Sequence, residues 1–206
     1  MRVLSFLVLA SLLGSCAAVP SGPPSLRLLS CDVSSLVEVE APRNRRQWEA
    51  PQSDALSSFE AIQLERVVID FSGGDPGPLA AIDSARIEST FRTRVETRLR
   101  EAGVRLSPGA GPGVLRMNLR LAGLRYGDPV RAKGTGETLR RQIRLQTLGI
   151  EGVFRKSESG ELVAVVLTRP RGATSVAERW SEMEDVLDLF ARNFAREVVA
   201  TRARRD

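Results

Sequence analysis

The most reactive side chains in this 206-residue chain are two cysteines set in similar words: "LLGSC" ends at Cys16 and "LRLLSC" at Cys31. A thiol can be acylated as an anchor, paired as a disulfide, or used as a small apolar residue. The usual catalytic partners are missing around them. No histidine occurs anywhere, which removes the commonest general base and the commonest metal ligand. A serine nucleophile would need a lysine base. The two lysines, Lys133 and Lys156, stand in loop or turn settings with no Ser-x-x-Lys. Gly109-Ala110-Gly111-Pro112-Gly113 and Gly134-Thr135-Gly136 invite a phosphate-loop reading, but neither has the fingerprint spacing between strand and helix, nor a Gly-Lys-Ser/Thr. Both read as turns. Asp70, Asp75 and Asp83 gather near one loop and read as a solvated acidic loop rather than a hard-cation site. These residues predict no catalytic centre, no metal and no cofactor.

Context separates the two cysteines. Residues 1–15 carry one positive charge, Arg2, then the apolar run Val3 to Leu13, then Gly14-Ser15. This is the layout of a signal peptide, too short to span a bilayer, which takes about 20 apolar residues. Leu13-Gly14-Ser15-Cys16 resembles the bacterial lipobox, whose cysteine is acylated and becomes the mature N-terminus. Leu28-Leu29-Ser30-Cys31 has similar letters, but Pro20, Pro23, Pro24 and Arg27 interrupt the apolar helix it would need. Cys16 is therefore the expected lipid attachment, which leaves Cys31 without an intramolecular partner. By resemblance to lipoproteins of Gram-negative bacteria, Ala17, not being Asp, implies sorting to the outer membrane, facing the periplasm. The expected domain plan is a signal peptide over 1–15, a lipidated cysteine and tether over 16–57, and a single domain over 58–206.

The domain's elements follow from periodicity. Val67, Ile69 and Phe71 point one way in a strand. Ile87, Phe91, Val95, Leu99 and Ala102 recur at helical spacing up to Gly103, a C′ glycine. "VLRMNLRLAGLRY" alternates, with Leu115, Met117, Leu119 and Leu121 inward; its phase slips at Ala122-Gly123, which predicts a bulge. A polar loop over 127–138 leads to a second alternating strand over 142–154, which slips near Thr147. "LVAVVLT" (162–168) reads as an inner strand. Trp180, Met183, Leu187, Phe190, Phe194 and Val198 form a long helical stripe. The sum is an α+β fold: a mainly antiparallel sheet of about four strands with two helices packed on one face. Its other face is left open or covered by residues 25–55.

Net charge is +5, from 30 basic and 25 acidic residues, and nearly all the basic ones are arginine. Arg116, Arg120 and Arg144 on outward strand positions are a candidate basic surface for an anionic lipid, a glycan or an acidic partner. Arg140 and Arg141 flank it. With aromatic residues at 5% and mostly on core stripes, no nucleic acid is expected as a partner. The expected partners are the membrane, through the anchor, and an envelope protein.

Four segments carry a wider resemblance: "WEAPQSDALSSFEAIQLERVVIDF", "RVETRLREAGVRLSPGAGPGVLRMNL", "SGELVAVVLTRP" and "AERWSEMEDVLDLFARNFAREV". Over about residues 48–199 the chain resembles a bacterial domain-of-unknown-function family of small lipoproteins, departing from it at the turn "KSESGE". The resemblance implies an envelope location and an α+β domain, and brings no activity or binding residue with it. The expected role is a non-catalytic outer-membrane lipoprotein, an interaction or accessory module in envelope assembly or transport.

Overall fold

The computed structural model describes residues 29–41, 43–51, 55–71, 78–130, 138–145, 148–169 and 176–202. The signal peptide, Cys16, Asp75, Lys133 and Gly134–Gly136 lie outside the described residues.

In chain order the elements are β1 (Val37–Val39), β2 (Arg45–Glu49), α1 (Ala55–Ser58), β3 (Ala61–Phe71), α2 (Pro78–Glu101), β4 (Arg105–Leu106), β5 (Val114–Pro129), β6 (Thr138–Arg144), β7 (Gly149–Lys156), β8 (Leu162–Thr168), β9 (Val176–Arg179) and α3 (Trp180–Arg202). The sheet runs β1-β2-β8-β7-β5-β3-β4, and β6 joins β5 to β9 at one side. β3 lies parallel to β4 and β5, and the remaining pairs are antiparallel.

This overturns the expected sheet of about four strands with two helices. Among the described residues there are nine strands and three helices, and two of the extra strands come from the stretch read as tether. Periodicity missed β2 because its side chains facing the helices are Arg45 and Gln47, polar and yet buried. β1 and β4 are too short to show a period. The single strand expected over 142–154 is two strands, and the phase slip near Thr147 falls between the end of β6 and the start of β7.

β5 organises the sheet. Its first half pairs with β7 from Leu115 to Ala122, and its last residues pair with β6 instead, from Arg125 onward. Between the two lies a bulge: Asp70 faces Ala122 and Phe71 faces Leu124, so Gly123 is the extra residue. Gly123 has a φ of 86°, a conformation that a Cβ disfavours.

The core lies between this sheet and the two long helices. α2 buries Ile87, Phe91, Val95 and Leu99, and α3 buries Met183, Leu187, Phe190 and Phe194. α2 ends in a Schellman motif: the Val104 amide donates to the Leu99 carbonyl and Gly103 to Arg100, with Gly103 at φ 77°. Gly152 on β7 lets α3 approach the sheet. A Cβ there would stand 3.1 Å from the Phe194 ring and 3.2 Å from that of Phe154, whose planes are nearly parallel at 6.5 Å.

Gly152→Val is expected to destabilise the fold by about 1–3 kcal/mol through overpacking. Phe194→Ala should cost about 3–5 kcal/mol as a cavity. In urea unfolding, the double variant should lose less than the sum of the two, because the cavity admits the added methyls.

Candidate functional site

The sheet's second face, opposite the long helices, holds its unusual chemistry. Residues 29–36 run across it. Leu29, Cys31, Val33 and Leu36 pack on a cluster of Trp48, Val153, Val165 and Leu167. Arg46 lies over the Trp48 ring at 4.8 Å and binds both carboxylate oxygens of Glu38 at 2.7 Å. The ion pair fastens β1 to β2.

Beside the apolar cluster sits a buried carboxylate. Glu151 on β7 is fully covered, and it accepts the Ser30 amide at 2.7 Å and an Arg120 guanidinium nitrogen at 3.3 Å. Arg120 also pairs with Asp70. Burial alone would lower the Arg120 pKa, but the hydrogen bond it donates to Asp70 and the charges of Glu151 and Asp70 hold it above its usual value. The Cys31 thiol borders the same carboxylate. Burial first, and Glu151 second, raise its pKa against the opposing pull of Arg155, so the group stays a thiol rather than a nucleophilic thiolate.

Of the candidate basic surface, Arg116 and Arg120 lie four residues apart on β5, on the same face. Arg116 Nε stands 2.8 Å from Glu65, so both guanidiniums meet acids. Arg144 lies past the bulge on β6, opposite Arg125, 3.9 Å from Asp128 and half exposed. Arg141 donates to the Gly127 carbonyl at 3.2 Å. Outward position along a strand could not reveal these acids, since Glu65, Asp70 and Glu151 come from other strands.

The glycine run 109–113 is occupied by the protein's own hydrogen bonds. The Gly111 amide donates to Ser157 Oγ at 3.0 Å, and that hydroxyl donates back to the Gly111 carbonyl at 2.7 Å. Gly113 accepts from the Glu60 amide at 2.8 Å. Asp70 is taken up by Arg120, and Asp83 is buried on α2. Asp83 contributes with burial to a Tyr126 hydroxyl pushed up to about 12, burial being the larger cause.

No protein-family model matches the chain, and no curated protein matches it. Twenty-seven chains of solved structures do match. Two PelC dodecamers from Paraburkholderia phytofirmans, in different crystal forms, are 17% and 15% identical, with TM-scores of 0.37 and 0.35. Both cover 79% of this chain and 98% of their own. A minor lipoprotein from Acinetobacter baumannii is 13% identical, with a TM-score of 0.32, over 70% of this chain and 95% of its own. Likeness at this level transfers no residue and no activity.

Arg120→Met leaves Glu151 buried without its cation and should cost about 3 kcal/mol. Adding Glu151→Gln should recover part of that loss, measured as a double-mutant cycle in urea. Iodoacetamide at pH 8 should modify Cys31 far more slowly in the folded chain than in urea. Because folding raises the thiol's pKa, its stabilising contribution is complete below the unfolded value and is lost as pH rises through the folded one. Stability should therefore fall above about pH 8.5, and Cys31→Ser should flatten that fall.

Proposed function

We propose that this chain is a lipoprotein acylated at Cys16, held on the periplasmic face of a Gram-negative outer membrane. Its domain works there as a non-catalytic interaction module in envelope assembly or transport. The observation that carries this reading is the apolar run closing at Leu13-Gly14-Ser15-Cys16. The course of the following chain supports it. Residues 29–36 are pinned to the second face of the sheet by apolar packing and by the Ser30–Glu151 bond. Twelve residues lie between Cys16 and Leu29, a reach of at most about 45 Å. An anchor at Cys16 would hold the domain close to the bilayer. Multiple acyl chains on one cysteine give the lasting attachment that one chain does not. No described helix is long and apolar enough to cross a membrane.

Metabolic labelling with palmitate should mark the wild-type chain and Cys31→Ser equally. Cys16→Ser should abolish the label and release the protein from the membrane fraction, and unchanged labelling there sinks the proposal. Crosslinking in intact membranes, followed by recovery of the chain, should then yield a protein partner.

A further inference from the structure

Several exposed arginines have no acidic partner among the described residues, and two of them share one groove. Where β2 begins and β8 ends, a groove of about 200 Å³ is lined by Arg43, Asn44, Arg45, Arg46, Leu167 and Arg169. Two of these arginines are engaged: Arg45 pairs with Glu197 on α3, and Arg46 with Glu38 on β1. Arg43 and Arg169 are exposed, and neither has an acidic partner among the described residues. The nearest acids along the chain are Glu38, which is taken by Arg46, and Glu40. Ala41–Arg46 and Thr168–Arg171 together contain five arginines and no Asp or Glu.

The backbone holds the two arginines in place. The Arg169 amide donates to the Asn44 carbonyl at 2.7 Å, closing the end of the β2–β8 ladder. The Asn44 side-chain amide lies 3.5 Å from the Arg169 carbonyl, too long for a strong bond, and so keeps donor capacity for a ligand. Packing of Arg46 on Trp48 and its pairing with Glu38 fix one wall, and buried Leu167 forms the floor.

We propose that this groove binds a phosphate group, with Arg43 and Arg169 as its clamps and the Asn44 amide as a further donor. Guanidinium forks match phosphate oxygens in pairs. A phosphate monoester carries about −1.5 to −2 charges, which complements two uncompensated guanidiniums. The space admits such a group with several waters, at about 30 Å³ for each water. The phosphate belongs either to a lipid headgroup or to a soluble ester, and the chemistry of recognition is the same. The site does not depend on the anchor at Cys16.

The test uses the full chain and two probes. Calorimetric titration with inorganic phosphate should give saturable binding that weakens with added salt. Arg43→Ala/Arg169→Ala should raise the dissociation constant about tenfold or more, as expected for losing two charge-assisted contacts. Arg43→Lys/Arg169→Lys should lie between, and Arg116→Ala should match wild type. Arg43 and Arg169 are exposed and Arg116 is half-buried, and circular dichroism checks folding. The second probe is the difference in flotation between vesicles of phosphatidylcholine with and without phosphatidylglycerol, a difference in which any anchor contribution cancels. A phosphatidylglycerol preference lost in Arg43→Ala/Arg169→Ala assigns the groove to a lipid headgroup. Phosphate binding without that preference assigns it to a soluble ester. Absence of both, or binding indifferent to the double alanine variant, overturns the proposal.

Discussion

A carboxylate buried on the face of a sheet must be answered by donors, and Glu151 is answered from two directions. Arg120 reaches it from the neighbouring strand β5, Asp70 on β3 steadies Arg120, and the Ser30 amide arrives from the crossing N-terminal segment. Losing a partner leaves charge in low dielectric, where the penalty is several kcal/mol, even though a well-packed apolar replacement of the whole set could be neutral. The network therefore does less to add stability than to restrict arrangement. Any register in which β7, β5 and β3 slip, or in which residues 29–36 leave the face, strands a buried ion.

That restriction combines with an apolar one. The cluster of Trp48, Val153, Val165 and Leu167 would lie bare without Leu29, Cys31, Val33 and Leu36 across it. β1 and β2 extend the sheet only because β8 supplies a partner edge for β2, while Arg45 crosses to Glu197 and Thr201 on α3. Residues 29–36, ahead of the domain's first strand, thus become a layer of the fold. On the opposite face, the absent side chain of Gly152 admits Phe194, and Arg98 ties α2 to Asp188 on α3 at 2.7 Å. Burial works against the Asp188 carboxylate, but hydrogen bonds from Arg192 and Arg98 outweigh it and lower its pKa.

The parts legible in the sequence are those in which side-chain period and burial coincide. The α2 stripe through Leu99, its stop at Gly103, the stripe of α3 and the bulge at Gly123 all carry a signal in consecutive residues. Where burial is polar the signal fails: Arg45 and Gln47 made β2 look like solvent-exposed linker, and the strand count fell short. Chemistry was less legible still. Glu151 lies in "LGIEGVF" with nothing local to mark it as buried, since its partners stand 31 and 121 residues away. The glycine run at 109–113 presents the letters of a phosphate loop, while Ser157, from a different turn, takes its amide.

The same distinction governs the meaning of the basic charge. An isoelectric point near 10.1 suggests a surface generally attractive to anions, yet arginine after arginine meets an acid: Arg46 and Glu38, Arg98 and Asp188, Arg116 and Glu65, Arg120 and Asp70. Exposed pairs of this kind add little stability, about 0–1 kcal/mol each, but they cancel the field through which a distant anion would be drawn. Net charge counts all side chains, whereas recognition uses those left over after pairing. At the β2–β8 end part of that remainder, Arg43 and Arg169, stands on two chain segments clamped by one backbone bond, so a modest overall charge still leaves two guanidiniums free to act in one groove.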